Sequence, residues 1–413
     1  MNILVIHQYF LEKEGAGGSR FNQFAKYWSR AGNNVLVVSG TVDYASGKKL
    51  KNYKNRWINK EKIENNISVY RCFVSEQYNK SFLGRLWAYL SFTLSATWAI
   101  LFHIKKIDII IATSPPLFVA IPGYLAKLFK RAPLIFELRD LWPKFAVDAG
   151  VLKNSFVVKL GYRLENFIYK KADLINVLTP AYKEYLIKEK NVSENKIIYI
   201  PNAADLDIFR PGSRENWVRK KYEWNKKFVI LYVGAHGVAN DLWQIINVAQ
   251  SLKNNQEILF ILIGDGMEKS KLKITVQEKG LTNIQFLDSI PKDKLNDYIN
   301  AADVCTAVLR PVFTTTYPNK VFDYMACAKP IILPIDGACR KLVVDEARAG
   351  IFVKPRDTED FKEKIIYFYN HPEAREAMGQ NGYRYVINYF DRQKLANQYL
   401  EIINKLATNQ KNL

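Results

Sequence analysis

The stretch RPVFTTTYPNKVFDYMACAKPIILPID, residues 310–336, decides the fold. Its pattern predicts the end of a strand, a loop containing Pro318, Asn319 and Lys320, an amphipathic helix over about 321–328 and an apolar strand over 330–335. Such a unit directs several backbone N–H groups and a helix N-terminus towards one point. Because Lys320 adds a full positive charge there, the stretch predicts a binding site for an anion.

Asp323 lies on the first turn of this predicted helix, where its carboxylate could accept hydrogen bonds from neighbouring sugar hydroxyls. A phosphate site beside a hydroxyl-binding carboxylate suits a nucleotide diphosphate-sugar. In a simpler interpretation, Asn319 caps the helix and Asp323 favours its dipole. This stretch alone leaves both interpretations open.

The composition is that of a globular protein with two domains. The 413 residues exceed one ordinary core, and 48% are hydrophobic against 24% charged. The four cysteines form no CxxC motif and have no paired histidines, so the sequence predicts neither a metal site nor a disulfide framework. No cofactor is predicted, and a reducing cytoplasm fits.

The positive charge is concentrated in the first half of the chain. The formal charge is +20, and residues 1–200 carry 30 Lys and Arg against 15 Asp and Glu. Such a basic half suggests an anionic partner surface, either a membrane or a nucleic acid, or simply a lysine-rich exterior. The chain runs from Met1 into a predicted strand without a basic region or cleavage site, which indicates no signal peptide.

The first 40 residues predict a βαβ unit with a strand over 2–8, a helix over 21–31 and a strand over 34–39. Gly17 and Gly18 precede the helix, so the backbone there could approach a phosphate closely, and Arg20 could pair with it. The loop is too long for a dinucleotide fingerprint, and no acidic residue ends the second strand. A nicotinamide enzyme is therefore disfavoured.

Two segments of the first half are ambiguous. Residues 44–64 are basic and polar, and they predict a mobile loop. Residues 86–104 contain no charged side chain over a length that just reaches the transmembrane range, yet they include several Ser and Thr and lie between strands of one sheet. They predict a partly buried helix, either with an aromatic face at the membrane interface or wholly within the core.

Charged and glycine-rich turns follow several predicted strands, where parallel sheets bind their ligands. Arg139 and Asp140 follow a strand over 133–136 and are candidates for phosphate and for sugar or acceptor contacts; a surface Arg–Asp pair is the alternative. In the second half, His236 and Gly237 follow a strand over 228–233, and Gly264 follows one over 257–263. Glycines at these turns allow contact with a diphosphate.

This alternation predicts an α/β protein with two Rossmann-like, doubly wound parallel-sheet domains that face an interdomain cleft. The turn-rich passage over 201–211 marks the boundary. We expect an acceptor-binding, membrane-facing domain over 1–203, a nucleotide-sugar domain over 204–388, and a final segment over 389–413 whose helix crosses back to the first domain.

Six motifs occur together in a familiar order: GGSR at 17–20, TSPP at 113–116, ELRDLWP at 137–143, PN at 201–202, GDG at 264–266 and PNKVFDYMACAKP at 318–330. With them, nearly the whole chain resembles glycosyltransferase family 4. It is similar in particular to the bacterial O-antigen and capsule branch that includes N-acetyl-L-fucosamine transferases.

The resemblance implies the GT-B fold, metal-independent transfer and a donor held mainly by the second domain. It also implies that Gly17 and Gly18 contact the donor diphosphate, that Asp140 lies near the sugar, and that Asp323 is the second acid of a Glu-x7-Glu motif facing the ribose. The sequence departs from the family at the first acid, where Thr315 stands, at Arg139, where many members have His, and at His236 and Gly237, where many have Arg and Lys. Lys320 would supply the missing charge.

We therefore expect transfer of a sugar from a nucleotide diphosphate-sugar, of the UDP-N-acetyl-deoxyhexosamine type, to a saccharide on a lipid diphosphate of the undecaprenyl type. The catalytic candidates are Asp140, Lys320 and Asp323. The expected location is cytoplasmic, on the inner face of the plasma membrane. Two alternatives remain: a nucleotide-sugar epimerase of the same form, and a basic nucleic-acid-binding protein, for which the sequence contains no reader motif.

Overall fold

The computed structural model describes residues 1–10, 20–42, 49–50, 53, 56–64, 66–77, 81–150 and 152–411. These residues form two compact units. The first unit contains the described residues up to Pro201 together with those from Gln393 onward, and the second contains Asn202–Arg392. Each unit is built on its own sheet.

The sheet of the first unit has, within the described residues, eight strands in the order β3-β4-β2-β1-β5-β6-β7-β8. All neighbours are parallel except β3, which runs antiparallel to β4. The central strand β5 is buried along its whole length, as expected for a parallel sheet covered on both faces. The strands are β1 Asn2–Ile6, β2 Asn34–Gly40, β3 Ile58–Glu64, β4 Ile67–Cys72, β5 Ile109–Thr113, β6 Leu134–Leu138, β7 Leu174–Val177 and β8 Ile197–Tyr199.

Helices connect these strands, and three of them cover one face of the sheet. Buried residues of α2, α3 and α5 join one hydrophobic core with Ile6, Ile110 and Phe136. A π-helical turn, Ala99–His103, continues α2, and a 3-10 turn, Leu117–Val119, precedes α3. The helices are α1 Arg20–Arg30, α2 Phe82–Trp98, α3 Ala120–Lys130, α4 Lys144–Asp148, α5 Ser155–Lys171 and α6 Pro180–Lys190.

The described part of the segment predicted to be a mobile loop, residues 44–64, contains strand β3. The prediction was wrong there because only Ile58 and Ile63 are apolar among the seven residues INKEKIE. Edge strands carry Lys and Glu of this kind, since one side of the strand lies open to solvent. Pairing with β4, which the local pattern does not reveal, forms the strand.

The second unit has a parallel sheet of six described strands in the order β11-β10-β9-β12-β13-β14. Its core combines the apolar residues of β9 and β10 with those of α8 and α13. The strands are β9 Phe228–Val233, β10 Ile258–Ile263, β11 Ile284–Leu287, β12 Val304–Thr306, β13 Ile331–Leu333 and β14 Gly350–Phe352. The helices are α7 Trp217–Lys221, α8 Trp243–Ser251, α9 Lys269–Glu278, α10 Leu295–Asn300, α11 Asn319–Ala326, α12 Ala338–Arg340, α13 Thr358–Asn370 and α14 Pro372–Tyr389.

The last helix, α15 Arg392–Lys411, belongs from Gln393 onward to the first unit. The indole Nε1 of Trp28 donates a hydrogen bond to the carbonyl oxygen of Ala396, at 2.9 Å. Tyr399 is fully buried, its ring meets those of Phe24 and Trp28, and its hydroxyl donates to Glu137 at 3.2 Å. The chain thus completes the core of its first unit with its final helix.

Parallel strands end at the same edge of a sheet, so the turns after β9 and β10 are neighbours, as are those after β1 and β5. Of the predicted site residues, His236 and Gly237 lie after β9, Gly264 after β10, and Arg139 and Asp140 after β6, while Lys320 and Asp323 lie on the helix after β12. Among the described helices, none combines the length and the apolar character needed to cross a bilayer.

Candidate functional site

Two glycine turns of the second unit touch each other through their backbones. Gly234 follows β9 and donates a hydrogen bond from its N–H to the carbonyl oxygen of Ile263, at 2.9 Å. Gly264 follows β10 with φ of +144°, and a Cβ placed there would come within 1.9 Å of the carbonyl oxygen of Gly234. Only glycine fits this close approach, so the turns leave no side chain between their backbones.

Lys320 extends from the start of α11 to the first of these turns. Its ammonium donates a hydrogen bond to the hydroxyl of Tyr232 at 2.9 Å and lies 4.0 Å from the centroid of the tyrosine ring. The Tyr232 hydroxyl donates in turn to the carbonyl oxygen of Ala235, at 2.8 Å. A Cβ at Gly234 would stand 2.9 Å from the Lys320 nitrogen. The cation is therefore fixed against the glycine turn.

No carboxylate of the described residues forms an ion pair with Lys320. Burial lowers the pKa of its amine to about 7, because the charged form has lost hydration and gained no counter-ion. An anion at this position would restore the charged form. The turn after β9, the helix N-terminus and Lys320 thus have the electrostatics of a phosphate-binding site.

His236 lies in the same turn and is fully buried. Neither of its ring nitrogens has a hydrogen-bond partner among the described residues, although buried polar groups are usually satisfied. Burial, followed by the charges of Lys269 and Lys320, lowers the pKa of His236 to about 4, so the ring is neutral at physiological pH. A neutral imidazole keeps one N–H to donate, and an anion nearby would give it an acceptor.

Helix α11 begins at Asn319, earlier than the sequence predicted. Asp323 therefore lies on the second turn of the helix, and its expected place on the first turn was wrong. The capping interpretation of Asn319 also fails, because Pro318 holds the cap position and no side chain caps the helix. The Asn319 amide oxygen is buried without a partner among the described residues. The N–H of Val233 donates to the Tyr324 hydroxyl at 2.8 Å, which holds α11 against the end of β9.

Asp323 is partly buried and lies near a charged cluster. Burial raises the pKa of its carboxyl to about 6, an effect that Lys292 and Arg392 reduce and Asp205 increases. Asp205 itself is buried and accepts hydrogen bonds from both of those cations. Near neutral pH, the Asp323 carboxylate is thus available to accept hydrogen bonds from a hydroxyl-bearing ligand.

Two further predicted residues occupy the turns of the second unit. Gly264 accepts a hydrogen bond at its carbonyl oxygen from Lys269, at 2.7 Å, and Lys269 also pairs with Asp288. Gly237 precedes a 3-10 turn, Val238–Asn240, and lines a pocket of about 240 Å³. The structure thus brings Lys320, His236 and Gly264 together. Gly237 instead lines a separate pocket, together with Trp243 and Arg356.

In the first unit, Arg139 and Asp140 follow β6, as predicted. The N–H of Arg139 donates to the Ser114 hydroxyl at 3.4 Å, which ties this turn to the turn after β5. Burial raises the pKa of Asp140 to about 6, and the charge of Arg139 limits the rise. Among the described residues, Arg139 and Asp140 form no ion pair with each other, so the alternative of a surface Arg–Asp pair is not observed.

Arg20 has a role different from the predicted phosphate contact. It is buried, its Nε donates to Glu137 at 2.6 Å, and its terminal nitrogens donate to the carbonyl oxygens of Ile200 and Pro201. These bonds join α1, β6 and the end of β8 inside the first unit. Gly17 and Gly18 lie outside the described residues, and their contact with a diphosphate stays a prediction.

Sequence reasoning did not identify three residues that the structure adds to these sites. His7 follows β1, is buried, and has a pKa lowered well below its ordinary value by burial and by Arg139 and Arg71. Tyr232 and Lys269 orient the glycine turns. The position of His7 just past a parallel strand was a usable signal, whereas Tyr232 lies inside an apolar strand and gave none. In the part of the chain that is described, no cluster of His, Cys, Asp or Glu could hold a metal ion.

Two family models match the chain in succession. Residues 15–203 match a Glycosyl transferase 4-like domain, and residues 213–385 match Glycosyl transferases group 1. Together the two models account for most of the sequence, and the gap between them falls at the start of the second unit.

Curated proteins that match the chain are named as glycosyltransferases. The chain is 26% identical to the probable glycosyltransferase WbjE of Pseudomonas aeruginosa, over 61% of this chain and 64% of that protein, so it spans less than two thirds of this relative. It is 26% identical to the putative colanic acid biosynthesis glycosyl transferase WcaI of Escherichia coli, over 75% and 77%. It is 22% identical to the N,N'-diacetylbacillosaminyl-diphospho-undecaprenol alpha-1,3-N-acetylgalactosaminyltransferase of Campylobacter jejuni, over 70% and 74%.

Solved structures share the fold over almost the full length. Sucrose-phosphate synthase from Thermosynechococcus elongatus superposes with a TM-score of 0.77 at 19% identity, covering 99% of both chains. Anabaena HepE, in complex with UDP-glucose, gives 0.73 at 17%, covering 98% of this chain and 100% of that one. The expected GT-B fold is confirmed, with β3 as an antiparallel addition. The chain therefore belongs to the glycosyltransferases, with a glycosyl transferase 4-like domain followed by a group 1 domain.

Proposed function

We propose that the protein transfers a sugar from a UDP-linked donor, of the N-acetyl-deoxyhexosamine type, to a saccharide carried on a lipid diphosphate. The reaction would belong to O-antigen or capsule synthesis and would take place at the inner face of the plasma membrane. The observation that carries this proposal is Lys320, a partly buried cation without a carboxylate partner in the described structure, held against a glycine turn and a helix N-terminus.

The second unit supports the donor part of the proposal. The diphosphate would contact the Lys320 ammonium, the backbone of Gly234 and Gly264, and the unpartnered His236 ring. Asp323 would accept hydrogen bonds from the ribose, and Asn319, whose amide oxygen lacks a partner among the described atoms, would contact the donor from the helix start. The Anabaena relative of the same fold binds UDP-glucose, which agrees with this class of donor.

Relatives and the first unit support the acceptor part. The Campylobacter relative acts, by its name, on a sugar carried by diphospho-undecaprenol, and the Escherichia relative is assigned to colanic acid synthesis. In the first unit, Arg139, Asp140 and His7 lie at the carboxyl ends of β6 and β1, where parallel sheets bind ligands. We assign Asp140 to the reacting sugar or acceptor and Arg139 to a phosphate.

The chemistry follows from where negative charge develops. As the bond from the anomeric carbon to the diphosphate breaks, the leaving group gains charge that Lys320, the α11 N-terminus and neighbouring backbone N–H groups would stabilise. Because these groups are already fixed before reaction, little reorganisation is needed. His236, neutral at physiological pH, would add one hydrogen bond without adding a competing charge.

The first test is the affinity of Lys320→Ala for UDP, measured by calorimetry on the full chain. Loss of a charge-assisted hydrogen bond of about 1.5–3 kcal/mol predicts affinity weakened by about 10- to 100-fold. Lys279→Ala removes another lysine, whose amine bonds to Gln250, and should bind UDP as the unsubstituted chain does. Equal affinity in both variants would remove Lys320 from the donor site.

The second test separates transfer from the epimerase alternative, which the family match does not favour. A radiolabelled UDP-sugar should be consumed only when a lipid diphosphate-linked saccharide is present, with the label recovered in the lipid product. Conversion of the labelled donor into another UDP-sugar without acceptor would support the epimerase instead. A panel of UDP, GDP and ADP in thermal unfolding would identify the base, since selective binding raises the melting temperature.

A further inference from the structure

The first unit exposes large apolar side chains along one stripe of α2 and the π-helical turn that continues it. Leu83, Trp87, Leu94, Trp98 and Phe102 are each about half exposed or more. The first four recur at helical spacing and fall within an arc of roughly 60°. The opposite side of the helix, with Ala88, Phe92 and Ala96, is buried in the core, so packing inside the domain does not explain the exposed stripe.

Two neighbouring helices continue this surface. On α3, Leu128 and Phe129 are exposed, and on α5 Phe156, Leu160 and Phe167 are exposed at helical spacing. We call these five side chains together with the five of the α2 stripe the apolar face.

The three helices that carry the apolar face are in direct contact. Lys130 of α3 donates to the carbonyl oxygen of Leu101 in the π-helical turn, at 3.1 Å. The ring of Tyr124 on α3 meets that of Phe167 on α5 edge-on, at 4.9 Å between centroids. The exposed residues therefore belong to one layer of contacting helices, and exposed apolar side chains grouped in this way usually mark an interaction site.

The three helices that carry the apolar face bear mostly positive charge, and Asp173, which follows α5, is paired with Lys127 of α3. No Asp or Glu occurs in α2, the π-helical turn or α3, and the single acid of α5, Glu165, is buried and bonded to Lys190 and Tyr169. Exposed cations flank the face: Lys105 and Lys106 after the π-helical turn, Arg131 after α3, and on α5 four more, namely Lys159, Arg163, Lys170 and Lys171.

We propose that the apolar face is the surface by which the protein docks on an anionic lipid bilayer, with its tryptophans and phenylalanines in the interface and its cations on the lipid headgroups. Aromatic side chains favour this depth, and basic residues near the surface add electrostatic attraction. A second copy of the chain fits poorly, since an isologous contact would place these cations against each other. The proposal deepens the proposed function, which needs a lipid-linked acceptor, but it rests on different residues.

Vesicle sedimentation of the full chain tests the docking surface. Binding is expected on vesicles of phosphatidylglycerol and phosphatidylcholine, weaker on phosphatidylcholine alone, and reduced between ~0.1 M and ~1 M salt, where exposed charges are screened. The substitutions Leu94→Ser, Trp98→Ser and Phe102→Ser, made together, should weaken binding by at least about tenfold. A similar loss is expected for Lys105→Glu with Lys106→Glu.

A matched control replaces Ile274 and Tyr389 by Ser, because these side chains are equally exposed but belong to the second unit. It should bind vesicles like the unsubstituted chain. Unchanged melting temperature and UDP affinity would show that the variants of the apolar face are folded. Undiminished vesicle binding by the triple variant, or no binding of the unsubstituted chain to any vesicle, would overturn the proposal.

Two other results have distinct meanings. Should the triple substitution turn a dimer into a monomer without lipid while vesicle binding persists, the apolar face is a contact between copies and the proposal is overturned. If the chain binds no UDP but still binds vesicles through the apolar face, the docking surface is supported and the proposed donor site is refuted.

Discussion

At the scale of single residues, the lowered pKa of Lys320 gives donor binding a pH dependence. In the protein without ligand, the pKa of the Lys320 amine is about 7. A bound diphosphate would raise this pKa because it favours the charged form. Binding above pH 7 should therefore take up a proton, and affinity for UDP-N-acetylglucosamine should fall as the pH rises from 7 to 9. Calorimetry in two buffers of different ionisation enthalpy measures this uptake.

The same pKa fixes the sign of a stability effect. Because the pKa of Lys320 in the folded protein lies below that of the unfolded chain, the unfolded chain binds the extra proton between pH 7 and the ordinary value of 10.5. The contribution of Lys320 to the free energy of unfolding thus rises with pH through that window. Lys320→Met should remove both this slope and the proton uptake; a proton uptake that survives the substitution must come from another group.

Arg20 shows what the sequence did not reveal at this scale. The glycines before it suggested a phosphate partner, but Glu137 lies 117 positions along the chain, and only the folded sheet brings the two together. Local spacing predicts which residues reach a turn, as it did for Arg139 and Asp140. It does not predict whether a cation turns outward to a ligand or inward to a buried acid.

The two roles of Arg20 predict different outcomes for Arg20→Met. The substitution leaves the fully buried Glu137 without its cation, with Asn176 and Tyr399 as the remaining donors among the described residues, so we expect a loss of about 3–5 kcal/mol in the free energy of unfolding. Arg340→Met, which breaks an exposed pair with Asp336, should cost less than about 1 kcal/mol. Urea unfolding measures both. A weakened UDP affinity in Arg20→Met with unchanged stability would restore the phosphate role instead.

At the scale of elements, the pattern of apolar residues predicted most strands and helices. Strands that are buried on both faces appear in the sequence as continuous stretches of hydrophobic residues. Strand β9 was predicted with its observed bounds, and β10 within one residue. Strand β3 was missed, since its pairing with β4 rather than its own composition forms it. The predicted start of α11 was too late, because no capping side chain marks the beginning of this helix. Asp323 was therefore assigned to the first helical turn and not to the second.

The contact between the two glycine turns is the element-scale feature that can be tested most directly. Gly264→Ala would place a Cβ 1.9 Å from the Gly234 carbonyl oxygen at a φ that side chains rarely adopt. We expect a loss of more than about 2 kcal/mol in the free energy of unfolding, together with weaker UDP binding as the turn is displaced.

Gly280→Ala is the matched control for that substitution. Gly280 also has positive φ, at +60°, but a Cβ there meets nothing within 4 Å. It should cost only about 1 kcal/mol, the ordinary penalty of the left-handed conformation, and leave UDP affinity unchanged. If urea unfolding shows the same loss in the free energy of unfolding for both variants, the turns accommodate a Cβ and do not fix the position of Lys320.

At the scale of the whole molecule, the final helix makes the first unit depend on residues from both ends of the chain. Deleting residues 393–413 would uncover Trp28 and Phe24 and remove the Tyr399 hydroxyl from the buried Glu137. Exposing several aromatic side chains costs about 1.5–3 kcal/mol for each, a total comparable with the stability of a whole domain. We therefore expect the first unit to unfold at room temperature in this deletion.

The second unit should respond differently to the same deletion. It keeps Arg392, whose guanidinium donates to Asp205 and to the carbonyl oxygen of Ala203, and it keeps Lys320 and both glycine turns. Calorimetry should still detect UDP binding, whereas the near-UV signal of the first unit should be lost. A shorter deletion of 409–413, which removes only exposed or undescribed side chains, should melt like the full chain. Loss of UDP binding together with the first unit would mean that donor affinity depends on first-unit residues as well as on Lys320.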